Sequence, residues 1–360
     1  MKVCVYAICK NESRFVDRWM DSMEEADGIY VLDTGSSDDT VERLNERGAY
    51  VEREVISPWR FDTARNKSLE LVPDDADICI CTDLDELLHP GWRRLLENAW
   101  TDGTTRAAYR YTWNFNPDGS EGYVFWTEKA HSRFGYKWTH PVHEVLVWVG
   151  EGKEGNKVYV EGMQLDHKAD NSKSRAQYLP LLEMSVLEDP EDDRNMHYLG
   201  REYYFHGRWQ DAITTLRRHL LMPKAVWQDE RCASMRYISR CCVKLGKTDE
   251  AKRWLWRALA EAPHLREPYL ELASLLYEER AWEGVVYLTR EALKITERPR
   301  TYVCEADSWG SLPWDLLSLG LYYTGRYQEA YAAVLKAAEI SPSNGRIAKN
   351  AQLMRAAAGK

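Results

Sequence analysis

Two aspartates separated by one residue, Asp83 and Asp85, lie in the segment TDLDE at the end of an apolar run. If that run is a β-strand, residues i and i+2 point to the same face, and both carboxylates can reach one hard divalent cation or its waters. Such a cation neutralises a diphosphate. Because acidic turns are common, the pair predicts a cation site only together with further polar residues.

Polar residues of suitable chemistry also follow other predicted elements. Asp33 lies at the strand end in VLDTGSSDDT and is suited to hydrogen-bonding a nucleobase or a ribose. Arg65 and Asn66 lie in FDTARN, and an arginine there can place its forked donors on phosphate oxygens. Competing motifs are missing: there is no GxxxxGK[ST], the first turn is KNES rather than GxGxxG, and HEVLV lacks the second His of HExxH.

The first ninety residues position these side chains by alternating strand and helix. Predicted strands are KVCVYAI, GIYVLD, AYVERE and ADICICTDLDE, with helices between them. This alternation predicts an α/β domain with a mainly parallel sheet covered by helices. Ligands of such sheets bind at the carboxyl ends of the strands, where Asp33 and the Asp83–Asp85 pair fall.

From about residue 190 the pattern is helical and repeats. Small residues recur at Ala212, Ala251, Val285 and Ala330, at intervals that resemble the 34-residue tetratricopeptide repeat with insertions. Small residues let paired helices approach closely, and stacked pairs bury a continuous core. We therefore expect two domains, residues 1–180 and an all-α domain of about four repeats at residues 181–360.

Composition excludes several classes of protein. The eight cysteines form no CxxC pair, so we expect buried thiols in a reducing cytoplasm instead of a disulfide scaffold or zinc ribbon. No apolar run is long enough to span a membrane. Residues 1–200 hold 23 Lys and Arg against 38 Asp and Glu, whereas residues 201–360 hold 25 against 19. The second half lacks a dense Arg/Lys–aromatic stripe, which makes nucleic acid the less favoured partner.

Four segments in this order and spacing resemble the nucleotide-binding half of a family 2 glycosyltransferase: AICKNE, LDTGSSDDT, FDTARNKSL and CTDLDE. They span residues 7–86, and the resemblance continues more weakly to about residue 180. With the helical repeats, the architecture is similar to bacterial protein- and peptide-modifying enzymes of the sublancin S-glycosyltransferase type. The resemblance implies a GT-A fold, inversion at the sugar, and Mn²⁺ or Mg²⁺ with a nucleotide-diphospho-sugar.

The resemblance also implies roles for individual residues of the donor site. Asp33 matches the uridine-binding aspartate, Arg65 and Asn66 the ARN block, and Asp83 the aspartate that contacts ribose or sugar. Glu12, in the KNE segment, joins them in the donor site.

Asp85 matches the metal ligand, and later motifs supply the remaining chemistry. In WTHPVHEVL, Glu144 falls where a carboxylate base is expected. In the later segment QLDHKADNSKSRAQYLPLLEM, His167 falls where a late histidine completes the metal shell. His143 is the rival for that metal role and His140 a weaker one. If Glu144 is not the base, Asp166 and Asp170 are the next candidates. Four aromatic residues could line the sugar or acceptor site, but core packing is the better interpretation for them: Tyr111, Trp113, Trp126 and Trp138.

Together these expectations describe a cytoplasmic, metal-dependent inverting glycosyltransferase that uses a nucleotide-sugar, with a UDP-sugar favoured. The helical repeats would hold a polypeptide acceptor or pair two subunits. The alternatives are transfer to a glycan or to modified nucleic acid, and a catalytically silent repeat scaffold. A nucleotidyltransferase is less favoured, because it usually begins with a Gly-rich loop after the first strand.

Overall fold

The computed structural model describes residues 1–116, 119–169 and 176–360. The chain divides into two compact units, Met1–Ser185 and Val186–Lys360. Each unit is described by itself below.

The first half of unit one alternates strands and helices, and the run of apolar residues in each strand explains why. Its elements are β1 (Val3–Cys9), α1 (Val16–Ser22), β2 (Gly28–Asp33), α2 (Thr40–Glu46), β3 (Tyr50–Arg53), α3 (Phe61–Glu70) and β4 (Ile78–Thr82). Every residue of β1 and β4 is buried, which is the pattern of central strands covered on both faces. The predicted order of these seven elements is therefore present in the structure.

The second half of unit one adds elements that the sequence interpretation missed. They are β5 (Glu86–Leu88), α4 (Trp92–Ala99), β6 (Thr104–Thr112), β7 (Val124–Ser132), β8 (Tyr136–Thr139), β9 (Val145–Trp148), β10 (Asn156–His167) and α5 (Tyr178–Glu188). Strands β8 and β9 form a separate antiparallel pair.

The large sheet has the strand order β3-β2-β1-β4-β7-β6-β10-β5. Strands β3, β2, β1 and β4 are parallel, and so are β6 and β10. Strand β7 is antiparallel to both β4 and β6, and β5 is antiparallel to β10. The sheet is thus mixed, and the prediction of a mainly parallel sheet is corrected. The physical reason is that β7 follows β6 without a crossover helix, and strands joined in that way pair antiparallel.

The core of unit one fixes the carboxyl end of β4. The fully buried indole of Trp19, from α1, donates a hydrogen bond to the Thr82 hydroxyl over 3.1 Å. Thr82 is the last residue of β4, so the following residues, Asp83 to Asp85, leave the sheet from a rigid position.

Unit two contains, within the described residues, nine α-helices, of which the first eight follow one another as four pairs and α14 comes last. They are α6 (Asp193–Phe205), α7 (Trp209–Leu221), α8 (Gln228–Lys244), α9 (Thr248–Glu261), α10 (Glu267–Glu278), α11 (Trp282–Lys294), α12 (Leu312–Tyr323), α13 (Tyr327–Ile340) and α14 (Gly345–Ala357). The small residues Ala212, Ala251, Val285 and Ala330 lie in the second helix of each pair and are fully buried. This confirms the tetratricopeptide-like repeat.

Close helix contacts explain why these positions are small. In α6, a Cβ atom added to Gly200 would lie 2.5 Å from Leu216 Cγ of α7. The backbones of α6 and α7 therefore approach more closely than any larger residue would permit.

Two further expectations concern cysteines and membranes. All eight cysteines are buried and free of disulfides, as predicted. Within the described residues, no helix is long and apolar enough to cross a membrane.

The buried ring of His131, in β7, should make the first unit sensitive to acid. Nε2 of His131 is 2.7 Å from the Tyr6 hydroxyl, and Nδ1 is 2.8 Å from the Ser132 carbonyl oxygen. Burial lowers the pKa of His131 to about 4 from an ordinary value of 6.5. The unfolded chain therefore binds this proton first, and stability present above pH ~6.5 is lost as pH falls towards ~4. The loss should be about 3 kcal/mol.

The measurement is urea unfolding between pH 7 and pH 4, compared with His131→Gln, which cannot titrate. Over this range the wild-type protein should lose about 3 kcal/mol more than the variant. Parallel pH curves for the two proteins would contradict the assignment.

Candidate functional site

Asp33 ends β2 and is fully buried, so its carboxylate shapes the following loop. Its oxygens accept hydrogen bonds from the backbone N–H of Ser36 at 3.1 Å and of Gly35 at 3.3 Å. Gly35 has a φ of 111°, which favours glycine at this turn. Arg53, from β3, adds an ion pair at 3.0 Å. A nucleotide contact by Asp33 stays a prediction, because these protein donors surround the carboxylate here.

A buried guanidinium links two of the predicted acidic residues. Arg65, on α3, is 4% exposed and donates from Nε to Glu144 Oε1 over 2.5 Å. Its Nη2 lies 2.9 Å from Asp83 Oδ1, just after β4. The structure therefore brings Arg65, Asp83 and Glu144 into one network, although they come from three separate segments. Arg65 therefore pairs with two carboxylates, and the predicted contact with phosphate stays a prediction.

The charges around Asp83 keep it ionised. Burial by itself raises the pKa of Asp83, but Arg65 and Lys129 outweigh burial and hold this pKa well below its usual range. Nζ of Lys129 lies 3.8 Å from Asp83 and 2.6 Å from Glu86 Oε1. Glu86 is 1% exposed, and its Oε2 accepts a hydrogen bond from the backbone N–H of Asp83 over 2.9 Å. Glu86 and Lys129 thus fix the position of Asp83.

Asp85 and His167 come together because β5 pairs with the end of β10. The antiparallel register places His167 opposite Glu86, one residue from Asp85. As a result, His167 Nε2 lies 3.4 Å from Asp85 Oδ2, and both side chains are largely buried. His167 Nδ1 lies 2.9 Å from the Trp113 carbonyl oxygen. A carbonyl only accepts, so Nδ1 carries the proton and Nε2 is directed at Asp85.

The Asp85–His167 pair fits a divalent cation. A histidine that ligates a metal almost always donates its other N–H to a carbonyl or carboxylate, as His167 does to Trp113. Burial lowers the pKa of His167, but the Asp85 carboxylate outweighs burial and raises it. One imidazole and one carboxylate leave the remaining coordination positions for oxygen donors. The nitrogen donor favours Mn²⁺ over Mg²⁺, which prefers oxygen ligands.

Glu12 and Asn66 lie in structural contacts. Glu12 is 7% exposed, and its backbone N–H donates to the Thr40 hydroxyl over 2.8 Å. The side-chain amide of Asn66 donates to the Trp138 carbonyl over 2.8 Å and accepts from the Trp138 N–H over 2.9 Å. Asn66 therefore joins α3 to β8. The predicted donor contacts of these two residues stay predictions.

The two rival histidines adopt strained backbone conformations. His140 and His143 have φ values of 78° and 53°, which non-glycine residues rarely adopt. The ring of His143 stacks on Tyr178, with ring centres 5.8 Å apart. Of the histidines considered for the metal, it is His167 that contacts Asp85.

The predicted aromatic residues divide into core and surface. Tyr111 and Trp138 are buried, Trp126 packs edge-on against Tyr159, and Trp113 is 46% exposed. The ring centre of Trp113 is 4.6 Å from that of His167, so an exposed ring flanks the candidate metal ligand.

Of the two alternative bases, only Asp166 falls within the described residues. Asp166 pairs with His89 at 3.1 Å and with Lys168 at 3.2 Å. Asp170 lies outside the described residues.

The sequence interpretation missed Glu86 and Lys129. Glu86 is part of the quoted TDLDE segment, and a buried position at the start of the next strand was the available signal. Lys129 reaches the site only because β7 pairs with β4, and no local pattern in the sequence indicates that pairing.

Comparisons with known proteins were made over the whole chain. No family model matches it, and no curated protein matches it. Solved structures that match include the Cut9–Hcn1 hetero-tetramer of the APC/C, at 12% identity and a TM-score of 0.41, covering 51% of this chain and 33% of that chain. The C-terminal part of a TPR repeat-containing protein from Cytophaga hutchinsonii matches at 14% identity and a TM-score of 0.42, covering 51% and 66%. PilF of Pseudomonas aeruginosa matches at 15% identity and a TM-score of 0.38, covering 49% and 72%.

These matches correct the family assignment. The predicted membership of the family 2 glycosyltransferases is wrong: no family model supports it, and none of the three structures above is a glycosyltransferase. The chain spans less than two thirds of the first two matched chains. All three TM-scores are below 0.5, so these similarities say nothing about the activity of this chain.

Proposed function

We propose that this chain transfers a sugar from a nucleotide-diphospho-sugar, with a UDP-sugar as the first candidate, to a polypeptide side chain. The observation that carries the proposal is the Asp85–His167 pair, oriented by the Trp113 carbonyl and adjoining the network of Arg65, Asp83 and Glu144. These groups follow or flank the carboxyl end of a central parallel strand, where ligands of such sheets bind. The proposal rests on this chemistry and not on family membership.

Asp85 and His167 would hold the divalent cation, Mn²⁺ or Mg²⁺. When bound, the cation neutralises the diphosphate of the donor and so improves it as a leaving group. Asp83, held by Arg65 and Lys129, stays ionised and accepts hydrogen bonds from sugar or ribose hydroxyls.

Glu144 is the proposed base. Arg65 donates a hydrogen bond to its Oε1, so Oε2 would be the oxygen that meets the acceptor. Oε2 takes the proton from the acceptor hydroxyl or thiol as the new bond to the anomeric carbon forms. The bond from that carbon to the diphosphate oxygen breaks, its electron pair leaves with the nucleoside diphosphate, and the configuration inverts.

The helical unit is the proposed binding site for the polypeptide. Stacked helical repeats commonly bind extended peptides. This unit exposes large aromatic side chains, which are enriched at protein interfaces, at Phe205, Trp256, Tyr287 and Tyr323. Transfer to a peptide panel, compared with glycan and nucleic-acid acceptors, tests this part separately.

A panel of nucleotide-sugars with Mn²⁺, assayed as released nucleoside diphosphate, tests the proposal. The wild-type protein should release nucleoside diphosphate from one class of nucleotide-sugar. In His167→Ala the rate of release should fall by more than the roughly 10–100-fold that is typical when a residue that hydrogen-bonds to a metal ligand is removed. His89→Gln, which removes a second histidine–aspartate pair of this unit, is the matched control and should keep its activity. Equal losses in both variants, or no release from any donor, would reject the proposal.

A further inference from the structure

A second group of side chains that could ligate a metal lies in the helical unit, on its first three helices. Asp193 begins α6, His219 is near the end of α7, and Glu230 is in the first turn of α8. One ligand atom from each lies within 4.8 Å of the others. Among the described residues, these three side chains are the His, Cys, Asp or Glu group whose ligand atoms are close enough to hold one metal ion.

The cluster combines negative charge with an unsatisfied imidazole nitrogen. His219 is fully buried, and its Nε2 has no hydrogen-bond partner, although Glu230 Oε1 is 3.3 Å away. Glu230 is 4% exposed, and its Oε2 accepts a hydrogen bond from the Tyr302 hydroxyl. In the described part of the chain, the half-buried Asp193 carboxylate has no hydrogen-bond or ion-pair partner. Two carboxylates and one imidazole nitrogen therefore lie within 4.8 Å of one another.

A neighbouring serine can set the tautomer that a metal requires. The buried Ser234 hydroxyl lies 2.9 Å from His219 Nδ1 and 2.7 Å from His197 Nδ1. A hydroxyl has one proton, so when Ser234 donates to His197 it accepts the Nδ1–H of His219. His219 Nε2 then presents its lone pair to Asp193 and Glu230. The same arrangement, with the far nitrogen held by an acceptor, orients histidine ligands of metals in proteins.

We propose that Asp193, His219 and Glu230 form a divalent transition-metal site, of the kind that binds Zn²⁺, which is independent of the nucleotide site in unit one. One imidazole and two carboxylates are three of the ligands of a tetrahedral site, and water completes it. Because the ligands come from α6, α7 and α8, the bound ion joins the first helical pair to the second. Binding to the folded state alone then stabilises the helical unit.

Isothermal titration of the metal-stripped full-length protein with Zn²⁺, without nucleotide, tests the site. The double variant Asp85→Asn/His167→Ala serves as the starting protein, so that the other candidate site cannot contribute. It should bind one Zn²⁺ per chain, and Zn²⁺ should raise the melting temperature of the helical unit. Asp193→Asn and His219→Gln should each weaken binding at least 10-fold.

His264→Gln is the matched control, because His264 pairs with the buried Asp229 at 2.8 Å in the same unit and is not one of the three proposed ligands. This variant should bind Zn²⁺ as tightly as its parent. Asp193 is half-buried at a helix start, so Asp193→Asn should fold even if His219→Gln does not. Unchanged Zn²⁺ affinity in Asp193→Asn, or equal weakening in His264→Gln, would overturn the proposal, and so would the absence of binding without nucleotide.

Discussion

Replacing Arg65 with Met should lower the free energy of unfolding of the first unit by about 3–5 kcal/mol, the usual effect of removing one partner from a buried ion pair. Arg65 is 4% exposed and neutralises both Asp83 and Glu144. Without it, Asp83 and the largely buried Glu144 lose the cation that they share, while Lys129 lies 3.8 Å from Asp83. Methionine fills a similar volume, so the effect reports charge and not a cavity.

Arg47→Met is the control, since Arg47 pairs with Asp21 on the surface, and such exposed ion pairs contribute little to stability. Urea unfolding, with hydrogen exchange of β1 and β4 to localise the effect to the first unit, measures both variants. A loss below 1 kcal/mol for Arg65→Met would show that the Arg65 network is not needed to hold the two carboxylates.

Replacing Glu144 with Gln should reduce transfer by about 10²–10⁴-fold, the range expected for loss of a general base. The amide keeps the shape of the side chain but cannot take a proton, and Asp85 and His167 are unchanged, so donor binding should persist. A thiol acceptor would give a smaller effect, because cysteine is already partly ionised near neutral pH.

The measurement is single-turnover transfer together with nucleotide affinity. Glu154→Gln removes a carboxylate from the partly exposed Arg106–Glu154 pair and is the control for a general loss of charge. Loss of nucleotide binding in Glu144→Gln would place Glu144 in the donor site. Unchanged transfer would show that another residue is the base.

The sequence predicts the first half of unit one well because its signals are local. Strands β1 and β4 are continuous apolar runs, since both of their faces are covered, and such runs are visible without a structure. The helical repeats are equally visible, because Ala212 and its counterparts must be small wherever two helices meet. These features need no knowledge of distant contacts.

The second half of the sheet in unit one and the candidate site depend on contacts between segments that are distant in the sequence. Strand β10 pairs with β6 through shifts in register and with β5 in the opposite direction, and neither pairing leaves a simple alternating pattern. The 3.4 Å contact of Asp85 with His167 follows from that second pairing. Spacing alone does not predict it, and His167 and Glu144 entered the sequence interpretation only through the family resemblance that the comparisons then overturned.

Thermal unfolding with UDP and Mn²⁺, separately and together, tests the central claim most directly. Diphosphate and cation neutralise each other beside Asp85 and His167, so the mixture should raise the melting temperature of the first unit more than either component alone. At a ligand concentration of 100 times Kd the gain should be about 2.7 kcal/mol. The same gain should disappear in Asp85→Asn and persist in His89→Gln. Equal shifts with and without Mn²⁺, or an unchanged shift in Asp85→Asn, would contradict a metal-dependent nucleotide site at the end of β4.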